Sequence, residues 1–82
     1  MKSLSELINH EALMMGAEYG YLTINKTLYQ SITSLPEFNK MRSSLVFGND
    51  DIVLRIMVSP TVSDRELQLR HTPNAQPRIV KL

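Results

Sequence analysis

Two histidines, a run of asparagine and aspartates, and scattered serines are the residues of this chain that could take part in chemistry. His10-Glu11 opens like the helical zinc motif H-E-x-x-H, in which two imidazoles one turn apart hold the metal and the glutamate activates water. Position 14 is Met14, so the second ligand is missing and the pair reads as polar residues on the exposed face of a helix. His71 stands in a basic, proline-flanked stretch with no partner nearby in sequence and reads as solvated or locally hydrogen-bonded. Asn49-Asp50-Asp51 offers oxygen ligands, but calcium loops need further spaced carboxylates and the next one is Asp64. Asn and Asp accept the backbone angles of a turn, which is the simpler reading. No serine lies in a G-x-S-x-G elbow, and three glycines provide no loop to cradle a phosphate. The absence of cysteine excludes disulfides and thiolate zinc sites. The expectation is a protein that is not an enzyme, with no metal and no cofactor.

Binding surfaces are better represented. Met14, Met15, Met41 and Met57, with Tyr19, Tyr21 and Tyr29, are adaptable apolar groups of the kind found in cores and at protein-binding faces. Leu13 and Met14 fall beside the apolar stripe of the first helix, more than a small domain can cover. Leu13, Met14, Tyr19 and Tyr21 are therefore the candidate protein-binding residues. The alternative is a helix-turn-helix-like DNA-binding transcriptional regulator reading bases with the second helix. Lys26 and Gln30 would then work with Arg65, Arg70, Arg78 and Lys81 on phosphates. Phosphate contacts supply most DNA affinity, and Lys26 is the only cation on that helix, so nucleic acid is the less favoured partner.

These residues must be positioned by the elements around them. Ser3-x-x-Glu6 has capping-box spacing, and Leu4, Leu7, Ile8, Ala12 and Met15 share one helical stripe, which predicts a helix over residues 4–17. Gly16 is its expected stop, with Ala17 and Glu18 as positions through which it could continue. Residues 18–23, two tyrosines around Gly20, read as a turn or a short extended piece. Ile24, Leu28, Ile32 and Leu35 predict a second helix over 24–34, capped by Thr23. Ser34-Leu35-Pro36-Glu37 repeats the capping-box spacing, and Phe38, Met41, Arg42 and Leu45 follow at helical spacing. A third helix is predicted over 36–46, ending at Gly48.

Beyond Gly48 the period changes to two. Ile52, Leu54, Ile56 and Val58 alternate with Val53, Arg55, Met57 and Ser59 as a strand requires, and Pro60 ends it. Residues 66–70 alternate again, although Ser63-x-x-Glu66 also permits a helix over 63–70. Residues 78–82 read as a candidate last strand. The expected fold is α+β: three N-terminal helices (1–47) packed on a small C-terminal antiparallel sheet (48–82), in one domain of 82 residues.

Composition sets the remaining bounds. A chain this short buries only about 60–65% of its unfolded surface, so it commonly needs reinforcement. Without cysteine, oligomerisation is the available route, and a homo-oligomer with an open sheet edge is expected. Net charge is +1, and residues 65–82 carry four basic side chains against Glu66 alone, a mild bias rather than a basic patch. Met1-Lys2-Ser3-Leu4-Ser5-Glu6 lacks the pattern of a signal peptide, and no stretch approaches the roughly 20 apolar residues of a membrane span. The expected location is cytoplasmic, without direct membrane insertion.

The stretch His10-Glu11-Ala12-Leu13-Met14-Met15-Gly16-Ala17-Glu18-Tyr19-Gly20, in a chain of this length without cysteine, resembles the cytoplasmic lysis-inhibition accessory proteins of T-even bacteriophages. The resemblance implies a small regulator that binds the cytoplasmic part of a holin and delays lysis. It carries over no functional residue.

Overall fold

The computed structural model describes residues 3–16 and 19–82. The order of elements is α1 (Leu4–Met15), β1 (Tyr19–Ile24), α2 (Lys26–Ile32), β2 (Phe38–Asn39), β3 (Ser44–Phe47), β4 (Ile52–Val58), β5 (Glu66–Arg70) and β6 (Arg78–Lys81). The six strands form one mixed sheet in the order β2-β3-β4-β1-β5-β6. Only β1 and β4 run parallel; every other pair is antiparallel. Two helices and a six-stranded sheet thus replace the expected three helices on a small antiparallel sheet.

Helix α1 forms as its sequence dictates. Ser3 sits in extended backbone and its Oγ accepts the Glu6 N–H at 3.2 Å, which satisfies one of the free donors of the first turn. Gly16, at φ 70°, closes the helix in left-handed conformation, and its N–H reaches the carbonyls of Ala12 and Leu13. Continuation through Ala17 and Glu18 lies outside the described residues. Ile8 and Ala12 are wholly buried, and Leu4, Leu7 and Met15 pack partly against the same core.

The corrections concern residues 19–47. Tyr19–Ile24 is a central strand rather than a turn, hydrogen-bonded to β4 on one side and β5 on the other. Gly20 lowers strand propensity, but a Cβ there would stand 2.8 Å from the Arg70 carbonyl oxygen and 3.3 Å from Leu54 Cδ2. The glycine therefore admits close approach of neighbouring chain rather than marking a turn. Thr23 belongs to that strand and caps nothing. The cap of α2 is Asn25, whose Oδ1 accepts the Leu28 N–H at 2.9 Å.

The predicted helix over 36–46 is instead the β2–β3 hairpin. Asn39 Oδ1 accepts the Arg42 N–H at 3.1 Å, an Asx-type bond that competes with a helical path. Ser43 then takes φ 48°, which no right-handed helix allows. The Ser34-to-Glu37 spacing caps no helix: Ser34 Oγ donates to the Ser31 carbonyl, and the Glu37 carbonyl accepts the Val46 N–H. Met41, which a third helix would have turned inward, is 98% exposed. Downstream, β4, β5 and β6 follow the period-two pattern, and residues 66–70 are strand, not helix.

Both helices lie on one side of the sheet. Leu22 and Ile24 of β1, Leu45 and Phe47 of β3, Ile52 and Leu54 of β4, Leu67 and Leu69 of β5 and Val80 of β6 form one cluster with Ile8, Ala12 and Ile32. Each valine, leucine, isoleucine or phenylalanine among them contributes about 1.5–3 kcal/mol by leaving water. Arg78 also points to this side, where its Nε meets Glu11 Oε2 at 2.8 Å and ties β6 to α1. After β4 the chain passes the ends of the two parallel strands, where the Ser59 N–H donates to the Ile24 carbonyl, before β5 returns beside β1.

Candidate functional site

Alternation sends every second strand residue to the other face of the sheet, where neither helix lies. Pairing aligns these residues into rows. Asn39, Ser44, Arg55, Tyr21 and Arg70 stand opposite one another from β2 to β5. On one side of this row run Val46, Val53 and Tyr19. On the other run Met57, Thr23, Gln68 and Ile79, with Glu66 opposite Lys81 beyond them. Among the described residues, the uncovered face thus carries aromatic and aliphatic groups with three cations and one acid.

Exposure differs along these rows. Tyr19 is 67% exposed and Met57 44%, high fractions for large apolar groups in the interior strands of a sheet, and Ile79 on the edge strand β6 is 52% exposed. Tyr21 is half-buried between its neighbours, whereas Val53, Thr23 and Ser44 are buried. Arg70 is held in place: its guanidinium donates to Thr23 Oγ1 at 3.0 Å and to Gln68 Oε1 at 2.9 Å. Arg55 is exposed and makes no ion pair with any described residue. Arg42, in the β2–β3 turn, bonds Asp50 at 3.2 Å with both side chains largely solvated. Tyr19, Gly20, Tyr21, Arg42, Ser44, Val53 and Arg55 surround an open depression of about 270 Å³.

That depression is a place for one or two side chains. Its lining holds two tyrosines, a serine and two arginines, and no histidine, aspartate, glutamate or lysine. Nor does any described group of three histidine, aspartate or glutamate residues come close enough to hold a metal. His10 is exposed on α1, Glu11 is engaged by Arg78, and His71 is exposed in the β5–β6 connection. Asn49-Asp50-Asp51 forms the β3–β4 turn, with Asp50 at φ 65°. A larger depression of about 640 Å³, bounded by Tyr29, Thr33, Phe38, Lys40 and Ser43, offers one cation and no reactive constellation.

The four candidate protein-binding residues are divided between two layers. Tyr19 and Tyr21 lie on the uncovered sheet face, while Leu13 and Met14, 62% and 63% exposed, belong to α1 on the opposite side. The candidate nucleic-acid residues separate further. Lys26 and Gln30 are on α2, Arg78 faces the helices and pairs with Glu11, and Arg65 precedes β5. Only Arg70 and Lys81 reach the uncovered face. Strand β1 intervenes between α1 and α2, so no helix-turn-helix forms. The residues missed from sequence are Arg55 and Val53. The alternation of β4 already put Val53 and Arg55 on one side of a strand, but that Tyr19 and Tyr21 join them follows only from the β1–β4 pairing.

No protein family, curated protein or solved structure matches the chain. Among the described residues, no helix is long and apolar enough to cross a membrane.

Proposed function

We propose that this chain is a non-enzymatic, protein-binding regulator whose contact surface is the uncovered face of its sheet. The observation that carries this reading is the exposure of Tyr19, Met57 and Ile79 on the face of the sheet that no described helix covers. A sheet is ordinarily stabilised by burying both faces or by presenting a polar outer one, and an apolar, aromatic outer face marks a contact surface. The absence of a reactive constellation among the described residues fits binding better than catalysis. The resemblance to T-even lysis-inhibition accessory proteins supplies a candidate partner, the cytoplasmic segment of a holin, and with it a cytoplasmic location and a role in delaying lysis. Homo-oligomerisation belongs to the same proposal, because β6 ends the sheet with one edge of its backbone unpaired.

The test is a tagged pull-down from the native cell lysate, with and without nuclease, alongside direct titration with a holin cytoplasmic segment. A discrete protein retained after nuclease, and lost in Tyr21→Ala, is the expected result. Nucleic acid alone, or a protein catch that nuclease removes, rejects the reading.

A further inference from the structure

The row Arg55-Tyr21-Arg70 places two guanidinium groups on either side of a tyrosine in three adjacent strands. Neighbouring strands lie about 4.8 Å apart, so the two arginine backbones are about 10 Å from each other. Neither arginine has a carboxylate partner among the described residues, and Arg70 is braced in position by Thr23 and Gln68. The only described acid on this face, Glu66, is in register with Lys81 rather than with either arginine. Two like charges flanking an apolar strip are a recognition pattern that a matching ligand completes.

Resting on the reading of this face as a protein-binding surface, we infer that its occupant is an amphipathic helix of the partner carrying carboxylates on both flanks of its apolar stripe. A helix with its side chains is about 10–12 Å across, which matches the separation of the two arginines. Laid along β1, it sets its apolar stripe on Tyr19 and Tyr21, with Arg55 and Met57 of β4 under one flank and Arg70 of β5 under the other. Charge-assisted guanidinium–carboxylate bonds then fix its register, while apolar contact supplies the adhesion. The arrangement repeats on this side what α1 and α2 do on the other, giving a sheet between two helical layers. Nucleic acid fits less well. Arg42 is engaged by Asp50 and Lys81 stands across from Glu66, which leaves two free cations on the face. Backbone recognition of nucleic acid draws on many more.

The probes are a synthetic amphipathic helix with glutamates flanking a leucine stripe, the same peptide with glutamines, and a single-stranded oligothymidylate. Each is titrated against the full chain and against Arg55→Gln, with NMR shifts as the readout. The glutamate helix is expected to shift the Tyr19, Tyr21 and Met57 signals and to bind about tenfold more tightly than the glutamine helix. Arg55→Gln, which breaks no bond within the described chain, is expected to erase most of that preference while its spectrum shows an intact fold. Equal binding of the two peptides, no binding of either, or tighter binding of the oligothymidylate would overturn the inference. A pull-down that retains its protein with Arg55→Gln and Tyr21→Ala overturns it too, yet leaves protein binding itself standing. A pull-down that yields no protein removes the regulator reading on which the inference rests, and the inference with it.

Discussion

Gly20 and Glu37 show how single residues set the limits of this fold. A side chain at Gly20 would press on the Arg70 carbonyl, part of a backbone that the β1–β5 pairing holds fixed. Gly20→Val is therefore predicted to lower the unfolding free energy by about 1–3 kcal/mol, the usual cost of overpacking, measured by denaturant titration. An unchanged midpoint would show that the two strands yield at this point. One carboxylate oxygen of Glu37 is out of solvent with no hydrogen-bond partner among the described residues. An unsatisfied buried acceptor costs about 1–3 kcal/mol, so Glu37→Met, which keeps the stem and removes the oxygen, is predicted to raise stability by about 1 kcal/mol. A loss of stability would mean that this oxygen is satisfied in solution. Residue types were legible at this scale for the caps of α1, because Ser3 and Gly16 act on neighbours within one turn. They misled at Gly20, whose reason is a contact with a residue fifty positions later in the chain.

At the scale of elements, local pattern and tertiary pairing competed over residues 36–47. Phe38, Met41 and Leu45 fit a helical stripe, yet Leu45, Val46 and Phe47 also suit a strand, and β4 offered seven residues with which to pair. The strand wins because the β3–β4 pairing buries Leu45 and Phe47 against the helices, at the cost of leaving Met41 in solvent. Met41→Lys separates the two folds directly. It is predicted to change stability by less than about 0.5 kcal/mol, whereas a charge placed in the buried stripe of a third helix would cost several times more. Large destabilisation in a thermal melt would speak for the helix. β4 was legible from its alternation, which is local to the strand, whereas over 66–70 the alternation competed with the capping-box spacing of Ser63 and Glu66 until pairing with β1 and β6 decided for strand. β1 was not legible, because six residues containing two tyrosines and a glycine carry little pattern until the strands on either side are known.

For the whole molecule, the decisive feature is a sheet covered on one face only. The described residues form two short helices, and both lie on one side. The tyrosines were legible as adaptable apolar groups. Their separation from Leu13 and Met14 was not, because it follows from the sheet having two sides. Met14→Asp on α1 is accordingly predicted to leave partner capture unchanged, while Tyr21→Ala abolishes it. The central claim, that the uncovered face is the contact surface, is tested most directly by methyl NMR of the chain titrated with the protein that it captures. The account predicts shifts at Val53, Met57 and Ile79 with Leu13 and Met14 silent. Shifts at Leu13 and Met14 with the sheet methyls unmoved would contradict it.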